Sequence, residues 1–273
     1  MKIELKNIEE TSLLPLWSRA KVSREYSSWF NDTKAIELIE KIDYDFSILK
    51  KNFSQNQFMA LFMVARAKEF DDKIRAFITE HPRASVINLG AGLDTTFYRV
   101  DNGLVQWYDL DLPDIMAIRK QLLPTTDRIK YISKSIFDSS WCNDIKDVEN
   151  GVFIVACGVL AYFEDSQIKR LFSMLADNFP DSEVVFDAST KLGNIFSNWG
   201  LRRTGMKQAI TRWALKDASK LTKWDKRIQV IDQFPYFNSI PRDLRWDVKI
   251  IRQMDFIEKS RLSNLFNIFH VRV

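Results

Sequence analysis

Residues 86–96 read Val-Ile-Asn-Leu-Gly-Ala-Gly-Leu-Asp-Thr-Thr. The apolar run from Ala84 to Leu89 predicts a buried strand. Gly90-Ala91-Gly92 predicts a tight turn that lets backbone approach a ligand without a Cβ in the way. Asp94 and Thr95 stand where a helix should begin. Strand, small-residue turn and helix start together predict the nucleotide-type corner of an α/β sheet. In the dinucleotide fingerprint a third glycine follows; here Thr95 holds that place, which disfavours a nicotinamide dinucleotide.

Downstream of Pro82, short apolar runs alternate with helical stretches. The strand candidates are Ala84–Leu89, Val105–Leu110, Ile129–Ile132, Gly151–Ala156 and Glu183–Asp187. Helical stretches fall near Thr95–Val100, Pro113–Leu122, Asp138–Ile145 and Asp165–Asn178. Such alternation predicts a parallel sheet covered on both faces. After Asp187 the pattern becomes helical and polar over 190–225, with Trp199, Met206, Trp213 and Trp224 interspersed. A strand at Arg227–Ile231, a loop through Phe234-Pro235-Tyr236-Phe237, a helix over Trp246–Lys259 and a last strand, Phe266–Val273, complete the expected elements.

The stretch before Pro82 shows no strand pattern. It predicts helices over Ser12–Phe30, over Thr33–Ile42 with Asp32 as its cap, and over Gln55–Thr79, closed by His81-Pro82. The expected architecture is therefore α/β and Rossmann-like: a mostly parallel seven-stranded sheet with helices on both faces. Its parts are an N-terminal helical cap (1–82), a core (83–190), a helical lid with a late strand (191–245), and a final helix and strand completing the sheet (246–273).

Composition narrows the function classes. Forty basic against thirty-six acidic residues leave +4 over 273 residues, with no clustered basic face, so no nucleic-acid partner is expected. Cys142 and Cys157 offer neither a disulfide framework nor zinc spacing, and His81 and His270 are too few for a histidine metal site; no metal is expected. No basic-then-apolar leader and no membrane-length apolar run are present, so a cytoplasmic protein away from membranes is expected. Oligomeric state is not legible.

In a parallel α/β sheet ligands bind at the carboxyl ends of strands. At the first such end, Asp94 can accept from a ligand ammonium or cap the following helix. At the second, Asp109 and Asp111 share a face by the period of two, and an acid about 20 residues past a glycine turn suits a ribose diol; Asp111 can also cap the helix from Pro113. At the third, Ser135, Ile136 and Phe137 can contact an adenine ring. At the fourth, Gly158 permits close approach, Cys157 has no basic partner to make it a nucleophile, and Tyr162 can wall the reacting group or belong to the core.

The segments Leu89-Gly90-Ala91-Gly92-Leu93-Asp94-Thr95, Tyr108-Asp109-Leu110-Asp111-Leu112-Pro113 and Gly158-Val159-Leu160 with Tyr162 resemble the S-adenosylmethionine (SAM)-dependent leucine carboxyl methyltransferase family. That family includes polyketide-biosynthesis-like O-methyltransferases of bacteria and archaea. Ser18-Arg19-Ala20-Lys21, Asp32-Thr33-Lys34-Ala35 and Arg66-Ala67-Lys68-Glu69-Phe70-Asp71 resemble its N-terminal helical motifs, so the likeness covers about residues 15–190. The resemblance implies a class I methyltransferase fold, SAM as cofactor and S-adenosylhomocysteine as product. It implies that Arg66 meets the SAM carboxylate, that Arg19 belongs to a second basic motif, that Gly90, Ala91 and Gly92 cradle the cofactor, and that Asp111, with Asp109 beside it, meets the ribose. Three positions depart from the family pattern: Thr96 stands where Arg is common, Cys157 where Glu is common, and Ser135 replaces a third-strand acid.

The activity expected is methyl transfer to an oxygen, carboxylate or phenol, of a small-molecule acceptor. An ionised carboxylate needs no general base, and the sequence offers no obvious histidine for one. Two alternatives stand beside it: carboxyl methylation of a protein C-terminus, and a SAM- or metabolite-binding protein without catalysis. Tyr162 is the positioning candidate, and Trp199, Trp213 and Tyr236 can line an acceptor pocket or belong to the core.

Overall fold

The computed structural model describes residues 3–4, 10–47, 57–203, 210–242, 248–260 and 262–273. The expected helix starts at Gln55 and Trp246, and Met206, lie outside the described residues. In chain order the strands are β1 (Ile3–Glu4), β2 (Ile42–Asp43), β3 (Ser85–Leu89), β4 (Gln106–Asp111), β5 (Ile129–Ser133), β6 (Val152–Ala156), β7 (Glu183–Ser189), β8 (Gln229–Pro235) and β9 (Phe266–Arg272). The helices are α1 (Glu10–Glu25), α2 (Thr33–Lys41), α3 (Gln57–Glu80), α4 (Thr96–Val100), α5 (Pro113–Leu122), α6 (Asp165–Asn178), α7 (Lys191–Arg203), α8 (Ser219–Trp224) and α9 (Val248–Lys259).

The central sheet has seven strands in the order β5-β4-β3-β6-β7-β9-β8. The first five are mutually parallel, and β9 runs antiparallel between β7 and β8. Strand order reverses between β3 and β6, so the crevice outside their carboxyl ends is the switch point where such sheets bind ligands.

The period of two sorts the core into two layers. Val86, Trp107, Phe153, Val155 and Val185 face one layer, filled by Phe70, Ile74 and Ile78 of α3. Ile87, Leu89, Tyr108, Leu110, Ile154, Val184 and Phe186 face the other, filled by Ile168, Leu171, Phe172 and Leu175 of α6 with Trp141 and Trp213. Every residue of β3 and β6 is buried, as strands covered on both faces require. Fully burying one of these large side chains stabilises the fold by about 1.5–3 kcal/mol. A third cluster joins Leu13, Leu16, Trp17 and Ala20 of α1 to Ala35 and Leu38 of α2 and Leu61, Val64 and Ala65 of α3. α3 thus ties the N-terminal helices to the sheet through one long helix with two apolar stretches.

Several expectations shift. Two parallel two-residue strands, β1 and β2, pair in the N-terminal part where no strand was predicted. Asp138–Ile145 is a 3₁₀ run, Ser139–Asp144, with Asp138 accepting from Ser140 N–H. The described parts of 190–225 are helical only in α7 and α8. The late strand extends through the expected loop to Pro235, because β8 is an edge strand whose end tolerates proline, and it bulges between Val230 and Asp232. Tyr236–Ser239 then forms a 3₁₀ turn.

Candidate active site

The glycine turn leaves β3 at the switch point. Gly90 and Gly92 adopt φ of +66° and +46°, a region L side chains rarely occupy. The N–H groups of Gly90 and Ala91 both donate to Leu110 O on β4, at 2.8 and 3.1 Å. A Cβ on Gly90 would lie 2.5 Å from Val159 Cγ2, so glycine here is what lets the turns after β3 and β6 meet.

Buried charges hold that turn from beneath. Arg119 of α5 donates through Nε and Nη2 to Asp109 Oδ2, and through Nη1 to the carbonyls of Gly92 and Asp94. Asp109 Oδ1 accepts from Asn88 Nδ2 and Trp107 Nε1 at 3.0 and 2.9 Å. With four donors on its two oxygens and no exposure, Asp109 is an internal strut of the scaffold and does not face the crevice. A second cluster centres on Asp32. It caps α2 by accepting from Ala35 N–H, and its Oδ2 accepts from Arg19 Nε, Thr95 Oγ1 and Arg99 Nη1. Arg99 also pairs bidentately with Asp71 at 2.7 Å on both bonds. Arg19 spends a further donor on Leu93 O at 2.9 Å. These contacts clamp Arg19 between α2 and the residue after the glycine turn.

Asp94 accepts from Thr96 N–H, Thr96 Oγ1 and Asn88 Nδ2, which closes the start of α4. Burial opposes its charge, but Arg19, Arg99 and Arg119 outweigh that and hold its carboxyl below the ordinary range. Its bonds to Thr96 and Asn88 tie down the helix start, and the partly exposed carboxylate keeps acceptor capacity beside them.

Asp111 differs from Asp109. It is only partly buried, and each oxygen accepts one backbone N–H, from Gly92 and from Leu112, at 2.7 Å each. Each oxygen keeps acceptor capacity. Burial raises its carboxyl above the ordinary value, although both backbone donors oppose the rise. Ser135 Oγ accepts from Phe137 N–H, Ile136 is buried, and the Phe137 ring packs edge-on against Phe163 at 4.8 Å. That contact joins the turn after β5 to the turn after β6, where Tyr162 lies half-buried in the 3₁₀ turn Leu160–Tyr162.

Arg66 projects from the middle of α3 to the end of β6. A Cβ on Gly158 would meet its guanidinium at 2.9–3.2 Å, so Gly158 makes room for it. Its Nη1 pairs with Asp187 Oδ2 at 2.9 Å, while its buried Nε has no partner among the described residues. Burial opposes the charge of Arg66, but the Asp187 carboxylate bonded to it helps hold its pKa above the ordinary value, so it is a permanent cation. Beside it burial pushes the Cys157 thiol up to about 12, which keeps it protonated and unreactive. Neither Asp187 nor the Asp32–Arg99–Asp71 cluster was apparent in the sequence, since these residues meet only in space. The one available signal was that Asp187 ends an apolar strand.

The ends of β3, β4, β5 and β6 therefore carry a turn with two glycines, a carboxylate with acceptor capacity left, an apolar wall, and a cation with donors left. This donor set fits the parts of S-adenosylmethionine: ribose hydroxyls, an adenine ring and an amino-acid carboxylate. Strand order and turn together define the fold of class I methyltransferases.

Comparison with known proteins agrees. The family model described as leucine carboxyl methyltransferase matches residues 13–176, more than half of the chain. The chain is 29% identical over 206 residues, 74% of each protein, to the tetracenomycin polyketide synthesis O-methyltransferase TcmP of Streptomyces glaucescens. It is 26% identical over 214 residues, 72% of each, to the S-adenosyl-L-methionine-dependent methyltransferase dpfgK of Gibberella zeae. Among solved structures, a DUF574 family protein from Streptomyces avermitilis superposes with a TM-score of 0.60 at 11% identity, covering 94% of this chain and 96% of that one. A candidate methyltransferase from Thermobifida fusca superposes with 0.59 at 15% identity, covering 85% and 90%. At those identities the likeness bears on the fold alone. The chain belongs to the leucine carboxyl methyltransferase family, and it is an S-adenosylmethionine-dependent methyltransferase. Among the described residues no helix is long and apolar enough to cross a membrane.

Proposed function

We propose that the protein transfers a methyl group to an oxygen of a small-molecule acceptor, a carboxylate or an acidic phenol. The name of TcmP, a polyketide O-methyltransferase, supports the acceptor atom and class. When bound, S-adenosylmethionine supplies the electrophilic methyl; the protein's task is to bind, orient and exclude water. Alignment of this kind can supply roughly 7–11 kcal/mol of barrier reduction.

One observation carries the choice of acceptor. The two histidines of the chain lie at the amino ends of the strands, away from the crevice. His81 packs against Gly151 just before β6, and His270 bonds Glu183 at the start of β7. With no imidazole at the carboxyl ends, the reading favours an acceptor that is ionised by itself.

In this reading Arg66 meets the cofactor carboxylate with its unused donors, and Asp111 meets the ribose diol with its unused acceptor capacity. Gly90, Ala91 and Gly92 pass beneath the sugar and amino-acid chain, and Ser135, Ile136 and Phe137 flank the adenine. Cys157 and Gly158 line the amino-acid end. Tyr162 positions the acceptor near the transferred methyl. Residues 191–245 act as the substrate lid, supported by the bonds of Arg212 and Trp213 N–H to Ala161 O at the end of the β6 turn. The two free thiols, Cys142 and Cys157, support a reducing, cytoplasmic setting.

Calorimetry with S-adenosylhomocysteine, followed by tritiated-methyl transfer to panels of carboxylates, phenols, alcohols and peptide tails, tests the proposal. Labelling of carboxylates or acidic phenols is expected. Labelling confined to aliphatic alcohols or peptide C-termini, or cofactor binding without transfer to any panel, overturns it.

A further inference from the structure

The end of β7 holds a carboxylate that the roles above leave out. In the β6–β7 ladder Ala156 faces Phe186, and the next residue of β7 is Asp187. There β6 turns away at Gly158, whose φ of +72° breaks the strand. The Asp187 side chain follows it: Oδ1 accepts from Gly158 N–H, and Oδ2 accepts from Arg66 Nη1 at 2.9 Å. One carboxylate therefore holds two donors from separate elements, one from the middle of α3 and one from the turn after β6. Asp187 is itself fixed, because β7 is hydrogen-bonded on both sides, with β9 pairing Asp187 to Ile268. Among the described residues the Arg66 guanidinium has no other hydrogen-bonded side-chain partner, and its Nε is buried without one. A long side chain with a single anchor owes its direction to that anchor.

We propose that Asp187 is a positioning residue for the cofactor's amino-acid end, holding the Arg66 guanidinium and the Gly158 backbone in the poses in which they meet it. The inference rests on the reading of Arg66 as the partner of the cofactor carboxylate. Asp187 makes no contact with the nucleoside in this arrangement. Its loss therefore changes affinity for the amino-acid part and leaves affinity for the nucleoside part alone.

The test compares S-adenosylhomocysteine with 5′-methylthioadenosine, which has the same nucleoside and no amino acid, by calorimetry on the full chain. Asp187→Asn keeps the size and an acceptor for Gly158 but removes the charge. It is expected to weaken S-adenosylhomocysteine about tenfold or more and to change 5′-methylthioadenosine less than twofold. On an Arg66→Ala background, Asp187→Asn is expected to add nothing further to the loss. Should Asp187→Asn not fold, Asp187→Glu, which keeps the charge but displaces it by a methylene, is expected to show the same selective loss. Equal losses for both ligands would mark a merely structural carboxylate and overturn the proposal. Unchanged or tighter S-adenosylhomocysteine in Asp187→Asn with a clear loss in Arg66→Ala would overturn it while leaving the Arg66 reading intact. No loss in Arg66→Ala itself would overturn both.

Discussion

Replacing Gly90 by alanine puts a methyl group where two turns of the site touch. The added Cβ would sit 2.5 Å from Val159 Cγ2 and 2.9 Å from Cγ1. Val159 is β-branched and stiff at χ1, so it cannot swing aside at low cost. Overpacking of this sort costs about 1–3 kcal/mol. The φ of +66° at Gly90 adds about 1–2 kcal/mol for any residue with a Cβ. Gly90→Ala is thus expected to lose about 2–5 kcal/mol, a large part of the roughly 5–15 kcal/mol a domain possesses. Val159→Ala alone removes two half-buried methyl groups and should cost about 1 kcal/mol. In the double variant the contacts to the two methyl groups disappear, leaving a 3.3 Å approach to Val159 Cβ and the backbone strain. A urea-denaturation double-mutant cycle should therefore show about 1–3 kcal/mol of favourable coupling. Strict additivity, or a Gly90→Ala variant within 0.5 kcal/mol of the parent (about the scatter of neutral substitutions), would refute the close approach of the two turns.

Four further outcomes are expected. Asp109→Asn should lose about 3–5 kcal/mol in thermal or chemical unfolding, because it leaves the buried Arg119 guanidinium without its counter-charge. Asp111→Asn should stay within about 1 kcal/mol of the parent yet weaken S-adenosylhomocysteine and 5′-methylthioadenosine alike in calorimetry, since both carry the ribose. Burial pushes the His270 imidazole below its ordinary pKa despite Glu183 beside it. The unfolded chain then takes up the proton first, so this contribution to stability is full above about pH 6.5 and is lost as the pH falls below it. The gap in melting temperature between the parent and His270→Gln should accordingly change between pH 7.5 and 5, and a constant gap would contradict a neutral buried ring. Asn194, buried in α7, accepts from Ser189 Oγ and donates to Trp213 O at 2.8 Å. Asn194→Ala should cost about 1–3 kcal/mol locally and accelerate hydrogen exchange at the Trp213 and Leu215 amides, which bond Ala161 O and Ser189 O.

The elements most legible in the sequence are those whose periodicity is strong and local. Pro113–Leu122 and Asp165–Asn178 form the helices their spacing predicts, and β3, β4 and β6 fall within a residue or two of their apolar runs. The region after β7 was less legible because its signals conflict. Pro235 reads as a turn but ends an edge strand, and the polar, tryptophan-bearing stretch after α7 is held by side-chain amides such as Asn198 on Thr211. The candidate site divides in the same way. Asp109 and Asp111 look equivalent by the period of two, yet Arg119, eight residues beyond Asp111, neutralises one and leaves the other partly exposed. Arg19 and Arg66 look like two basic motifs of one kind. Arg19 is anchored twice, by Asp32 and by Leu93 O, while Arg66 is anchored by Asp187 alone and its Nε has no partner among the described residues.

By itself the sequence determined the sheet class, the glycine turn at a strand end, the family, and a short set of charged residues from which a cofactor site can be drawn. It did so because strand and helix periods, positive-φ glycines and motif spacing are properties of neighbouring residues. Only the tertiary structure decided which of those charges are spent inside the scaffold and which remain available. A carboxylate's chemistry depends on the donors packed around it, and here those donors come from other elements, α1, α3 and α5, whose packing no local period reveals. The stretch at 86–96 specified the turn; Val159, Arg119 and Asp187 fixed its surroundings.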